Sequence, residues 1–326
     1  MSRRIDAHFH WFPRKHFERM ISRTSEPRVV RDGDGYEYRY EGGTLPVWPA
    51  WFDLDGGLEE SRAATGPDTL LIATSGVTSG LFDMLPVTEA VDVATEWNQE
   101  LASEQQARPG TLKGTAAVPL HETKIALEVA EYAIRHLGLI GINLPAATAD
   151  GTIDQERLEP FYDLVEELGG PLIVHPTDFA FGQVLAGYDG GIHRSMGRLL
   201  DSSVTVMRLI FSGIMERHPN LKVVQTHAGG ILPFQAGRLD KNARIAGLPE
   251  KPSVYLKRMS VDTVAPQDLT IRSAVDFYGA DHVMYGTDFP CWHPEAAIDT
   301  IRRAKLTPEE VEPVMEGSAA AVFGLA

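Results

Sequence analysis

The chain has 326 residues, enough for one large α/β barrel or two ordinary domains. Its 30 basic and 45 acidic residues leave a net charge of −15, which repels nucleic acid and anionic membrane surfaces and sets both aside as partners. Cys291 is the single cysteine, so no internal disulfide can form; no apolar run approaches the ~20 residues of a membrane span, no signal-peptide-like core follows Arg3-Arg4, and a cytoplasmic protein is the expectation.

In chain order, residues 3–8 read as a short strand leading into His8-Phe9-His10. Two histidines one residue apart on an extended segment share a face, with Ile5 and Ala7 on the other, so the pair can act as a metal clamp. A charged helix over 14–23 follows, then a Gly-rich β-hairpin over 28–45, then the aromatic, proline-rich stretch Pro46-Val47-Trp48-Pro49-Ala50-Trp51-Phe52. Residues 11–57 therefore read as an insertion on the first turn of the fold, either an aromatic lid or a satellite cluster that packs on itself.

From Leu58 onward strands and helices alternate. Strands are predicted at 69–74, 112–118, 139–144, 171–175, 221–226, 255–261 and 282–287. Helices are predicted at 58–64, 87–106, 123–136, from a Thr152-x-x-Gln155 capping box to 168, and at 195–217, from 231, 266–278, 294–304 and 308–323. The strands are continuous apolar runs, as parallel strands buried on both faces require. Eight β units alternating with helices give a (β/α)₈ TIM barrel as a single domain over 1–326, with the small insertion at 11–57 following strand one as a cap over the C-terminal mouth of the barrel. No Gly-x-Gly-x-x-Gly follows the first strand, which argues against a dinucleotide fold.

Barrel sites lie at the C-terminal ends of the strands. There the sequence places His8 and His10, Asn143, His175, His227, Asp262 and Asp288. Three imidazole nitrogens with one or two carboxylate oxygens suit Zn²⁺, and also Mn²⁺ or Fe²⁺, with a position left for water or substrate.

The segments His8-Phe9-His10, Val174-His175-Pro176, Thr226-His227-Ala228-Gly229-Gly230 and Tyr285-Gly286-Thr287-Asp288-Phe289-Pro290 resemble the amidohydrolase superfamily, and more narrowly the aminocarboxymuconate-semialdehyde decarboxylase family, over nearly the whole chain. The resemblance implies His8, His10, His175 and Asp288 as ligands of one divalent ion, Zn²⁺ first. It implies His227 as the residue that activates metal-bound water or moves protons, with Asp288 as a second catalytic group. Asn143 stands where binuclear superfamily members carry a carboxylated lysine, so one ion is expected. The arginine that receives a substrate carboxylate in the semialdehyde decarboxylases is missing: Leu58 to Glu60 occupy its place, with Arg62 displaced along the helix. Arg194, with Arg198 and His193, is the candidate replacement. Asp178, Trp48, Trp51, Phe289 and Trp292 complete the expected substrate-binding set. The implied activity is decarboxylation of a small cyclic, aromatic or unsaturated carboxylic acid. The alternative is hydrolysis of a lactone, amide or ester by metal-activated water. A homodimer or higher homo-oligomer is expected, with a small molecule as the only other partner.

Overall fold

The computed structural model describes residues 3–33, 35–41, 43–148, 151–177, 185, 191–245 and 247–325. The strands, in order, are β1 (Arg4–His10), β2 (Arg28–Asp32), β3 (Gly35–Tyr40), β4 (Gly43–Val47), β5 (Thr69–Thr74), β6 (Leu112–Gly114), β7 (Ile142–Pro145), β8 (Leu172–His175), β9 (Val223–Gln225), β10 (Ser260–Asp262) and β11 (Val283–Met284). Two parallel sheets, β1-β5-β6 and β11-β10-β9-β8-β7, meet at both edges. Ala116 pairs with Ile142 at one seam and Phe9 with Phe289 at the other. At these seams Ala116 N donates to Gly141 O at 2.7 Å and His10 N to Phe289 O at 2.8 Å. The result is the closed eight-stranded ring of a (β/α)₈ barrel.

Packing follows strand alternation. Ile5, Ala7, Leu70, Ile72, Ile173, Val224 and Met284 fill the barrel, and Ala319 and Phe323 of the last helix plug its N-terminal end. The outward residues Leu71, Ile142, Leu144, Leu172, Val174, Val223 and Val261 pack under the helices. With the lower barrel filled by apolar side chains, the polar residues of the strands are confined to its upper, C-terminal layer.

β1 departs from the expected alternation. Its pairing with β5 shifts register between Asp6 and Phe9, where one extra residue is accommodated. Ile5 and Ala7 therefore face the barrel interior below, and His8 and His10 face it above, rather than the two pairs taking opposite faces. Three other readings change. The hairpin over 28–45 is a three-stranded antiparallel sheet, β2-β3-β4. Tyr255 and Leu256, read as the start of strand seven, lie in a helical turn over Pro252–Leu256, and the strand is only Ser260–Asp262. The Thr152/Gln155 capping box does not form: Gln155 Nε2 donates to Thr152 O at 2.8 Å, and the helix begins at Glu159 with Pro160 in its first turn.

The insertion has its own core. Phe12, Met20, Val29, Tyr38, Tyr40, Leu45, Val47 and Trp51 pack with Leu81, Phe82, Leu85, Val93 and Trp97 from the loop after β5 and the helix Val87–Ala107. None of the helices in the described residues is long and apolar enough to cross a membrane.

Candidate metal centre

The rim of the barrel carries a polar group on nearly every strand: His8 and His10 on β1, Thr74 on β5, Thr115 after β6, Asn143 on β7, His175 on β8, Thr226 and His227 after β9, Asp262 on β10 and Asp288 after β11. His8, His10 and His175 are buried, and Asp288 is 7 % exposed. The ligand atoms of His8, His175, His227 and Asp288 all lie within 4.8 Å of one another. His8 Nε2 stands 3.0 Å from His10 Nε2 and 3.3 Å from Asp288 Oδ1, and His10 Nε2 is 2.8 Å from the same oxygen. Two donors at right angles on an ion with bonds of ~2.1 Å sit about 3.0 Å apart, so these edges match a shared cation. His227 Nε2 faces the other carboxylate oxygen, Asp288 Oδ2, at 3.8 Å.

The outward ring nitrogens fix how the inner ones are used. His8 Nδ1 bonds Asp262 Oδ2 at 2.7 Å, and Asp262 Oδ1 is held as an acceptor by Ala228 N and Val264 N, each at 3.0 Å. His10 Nδ1 lies 3.2 Å from Thr74 O and 2.9 Å from Thr74 Oγ1. His175 Nδ1 bonds Pro176 O at 3.0 Å, and its Nε2 is buried with no hydrogen-bond partner. His227 Nδ1 meets Thr226 Oγ1 at 3.0 Å. A carboxylate or carbonyl can only accept, so in His8, His10 and His175 the Nδ1 carries the proton and Nε2 is a lone pair aimed inward. Lone pairs packed this closely around a carboxylate, one of them orphaned, are the donor set of a divalent ion with its outer hydrogen bonds in place. The residues therefore fit a bound metal.

The charge states of His175, His10 and Asp288 agree. Burial holds His175 well below the ordinary imidazole range, and His10 is lowered by burial and by the charge on His8. Burial favours the neutral form of Asp288, but His10, His227 and His8 outweigh it and hold the carboxyl well below its usual value. His8 differs: burial opposes its charge, yet Asp262 and Asp288 raise it to about 10, so its Nε2 would release a proton on taking up a divalent ion. Beneath the site Asp6 is pushed up to about 7 by burial, against hydrogen bonds from Thr287 and His8 N. Its Oδ1 accepts from His8 N and Thr287 N, both at 3.1 Å, and its Oδ2 from Thr287 Oγ1 at 2.7 Å, which ties β1 to the turn bearing Asp288.

The backbone around the site is bent to serve it. His227 and Asp288 have φ of 59° and 60°, left-handed values that non-glycine residues rarely adopt and that concentrate at functional positions. Asp288 N donates to His8 O at 2.7 Å, which anchors that turn. Gly76 (φ +57°) lies against His10: a Cβ there would stand 2.5 Å from His10 Cε1. A Cβ at Gly286 would stand 2.9 Å from that of His8.

Of the residues expected to bind substrate, Trp51 reaches the centre. Its ring lies 5.7 Å from that of His10, stacked on Phe12 at 4.5 Å, with Trp48 outside it at 6.0 Å. Trp48 is 42 % exposed. Phe289 lies elsewhere: it stacks on Phe9 at 5.1 Å against Gly57, packing β1 to the helix Leu54–Thr65. Trp292 lines a cleft of about 320 Å³ with Thr263, Gly286 and Thr287, residues that adjoin Asp262 and Asp288. Arg194 stands exposed in the turn His193–Gly197. Asp178 lies outside the described residues. The sequence reading placed Asp262 on the rim but missed its bond to His8, and it missed the acceptors Thr74 and Thr226 and the Asp6–Thr287 clamp. The available signals were position ones: Asp6 is two residues before His8, and Thr226 directly precedes His227.

Residues 5–325 match the family described as amidohydrolase. The chain belongs to that family. This amidohydrolase is 26% identical over 247 residues to the 2-amino-3-carboxymuconate-6-semialdehyde decarboxylase of Dictyostelium discoideum, a match covering 73% of this chain and 68% of the relative. It is 25% identical over 333 residues to the 6-methylsalicylic acid decarboxylase of Penicillium expansum, covering 97% and 94%. Among solved structures its fold is similar to that of a dihydroxybenzoic acid decarboxylase from Polaromonas sp. JS666 with bound manganese and the inhibitor 2-nitroresorcinol, with TM-score 0.81, 20% identity, and 100% and 98% of the two chains covered.

Proposed function

We propose that this amidohydrolase is a mononuclear metal-dependent decarboxylase of small aromatic carboxylic acids. The observation that carries the reading is the set of inward lone pairs on His8, His10 and His175 around Asp288, with every outer Nδ1 held by an oxygen. The decarboxylases among its relatives support the reaction type.

His8, His10, His175 and Asp288 would hold the ion. Zn²⁺ is the first candidate, and the bound manganese of the Polaromonas enzyme puts Mn²⁺ beside it. A bound divalent ion supplies a Lewis acid that fixes the substrate carboxylate or a neighbouring hydroxyl. His227 accepts and returns a proton at Nε2, and Asp288 Oδ2, facing it, can pass a proton to the ring carbon that loses CO₂. Trp51, buried between Phe12 and Trp48, forms an aromatic backing beside His10. Residues 11–57 thus act as a lid, with Trp48 on its outer side and Trp292 on the opposite flank. Arg194 is the candidate partner for a second substrate anion. A cytoplasmic homodimer completes the reading, and sedimentation of the purified enzyme tests its oligomeric part.

The deciding assay offers hydroxybenzoates, lactones and amides to the metal-loaded enzyme and records CO₂ and titratable acid separately. CO₂ from an aryl acid is expected. Acid from a lactone or amide, without CO₂ from any acid, would replace decarboxylation with hydrolysis.

A further inference from the structure

Four histidines converge on Asp288, yet their outer partners differ in kind. His8, His10 and His175 each have a carboxylate or carbonyl oxygen against Nδ1, groups that never donate. Among the described residues, His227 Nδ1 meets a side-chain hydroxyl alone, Thr226 Oγ1 at 3.0 Å. That hydroxyl is not free to choose. Thr226 Oγ1 donates to Val174 O at 3.0 Å, on the residue before His175. Its one proton is thereby used, and it meets His227 as an acceptor. Nδ1 of His227 must carry a proton, and Nε2 is left as the lone pair facing Asp288 Oδ2 at 3.8 Å. Thr226 is 2 % exposed, so water does not compete for the contact.

We infer that Thr226 is a positioning residue for the reaction: it sets the tautomer of His227, so that Nε2 is the basic nitrogen at the metal centre. The inference rests on the decarboxylase reading for its kinetic consequence and not for its structural one. A hydroxyl can also turn. When a proton is wanted at Nε2 in the neutral ring, Thr226 can swing its hydrogen from Val174 O to Nδ1. Val174 O keeps a partner in that state, because Thr226 N also donates to it at 3.2 Å. His8 and His175 lack this freedom, having no hydroxyl against Nδ1, and the carbonyl of Thr74 beside its hydroxyl withholds it from His10. The backbone supports the division of labour: His227 and the following Ala228 are both left-handed, at φ of 59° and 53°, a bend that sets the ring beside the residue that steers it.

The test compares wild type with Thr226→Val, which keeps shape and removes the hydroxyl, and Thr226→Ser, which restores it. ¹⁵N-histidine-labelled enzyme is read by NMR with and without metal, and steady-state kinetics are measured on the best aryl acid. The expected wild-type signal has His227 Nδ1 protonated and Nε2 unprotonated. In Thr226→Val that signature is lost, kcat falls about 10- to 100-fold, KM and metal content change little, and Thr226→Ser recovers both readouts. A wild-type His227 protonated at Nε2, an unchanged tautomer or kcat in Thr226→Val, or a Ser variant that rescues neither readout would overturn the inference. Should Thr226→Val fail to fold, the wild-type and Ser spectra decide it. Should no aryl acid release CO₂, the decarboxylase reading fails while the spectra still judge the tautomer.

Discussion

A methyl group at Gly76 would stand 2.5 Å from His10 Cε1 and 2.8 Å from its Nδ1, and the residue's φ of +57° resists any side chain. Gly76→Ala must therefore push His10 out of line with His8 Nε2 and Asp288 Oδ1. The expected outcome is a metal affinity weakened roughly 10- to 100-fold, measured by competition with a chromophoric chelator. An unchanged affinity would show that His10 is not a ligand. Which residues would converge was legible at this scale, because His8, His10, His175, His227, Asp262 and Asp288 each end a run of strand residues. How they are held was not. Thr74, Thr226, Asp6 and Thr287 are ordinary polar residues in the sequence, and only the closed ring brings Thr74 of β5 against His10 of β1 or Asp6 against Thr287.

At the scale of elements, helix and strand order followed from apolar periodicity, while local exceptions did not. The register shift in β1 leaves no mark on a sequence whose residues on both sides of it are all buried. Tyr255-Leu256 reads as strand by composition, and Pro252 turns it into a helical turn. Phe289 reads as a pocket residue because it follows Asp288, but the bend at Asp288 sends it outward onto Phe9. The inserted segment offers two tests. Trp51→Leu is expected to raise KM several-fold with metal content unchanged, and to cost about 2–3 kcal/mol of stability from lost packing on Phe12. A stability loss with KM intact would make the segment purely structural. His16, enclosed by Trp97, Phe82 and Tyr38, is lowered to about 3 by burial and then by Arg19. Between that value and the 6.5 of the unfolded chain, only the unfolded state binds the proton, so acidification through this window removes stability. At pH 5 the loss is about 2 kcal/mol. Denaturant midpoints at pH 7.5 and 5 should fall further in wild type than in His16→Phe; equal falls would mean His16 is solvated or charged in the native state.

For the molecule as a whole, the barrel separates stability from chemistry. Apolar side chains and the last helix close the lower half, and the rim above them is polar all round. This division was readable in the sequence, since the strands are largely apolar and most of them lead to a histidine or aspartate at the C-terminal end. The reaction was less readable, because one donor set can serve both decarboxylation and hydrolysis, and the arginine that would name the substrate is absent. The most direct measurement is CO₂ release from a panel of hydroxybenzoates by enzyme that has been stripped with a chelator and then titrated with Zn²⁺ or Mn²⁺. The expected result is no CO₂ from stripped enzyme and release that rises to a plateau at one ion per chain. CO₂ release that survives stripping, a plateau at two ions, or no release at any loading would contradict a mononuclear metal-dependent decarboxylase.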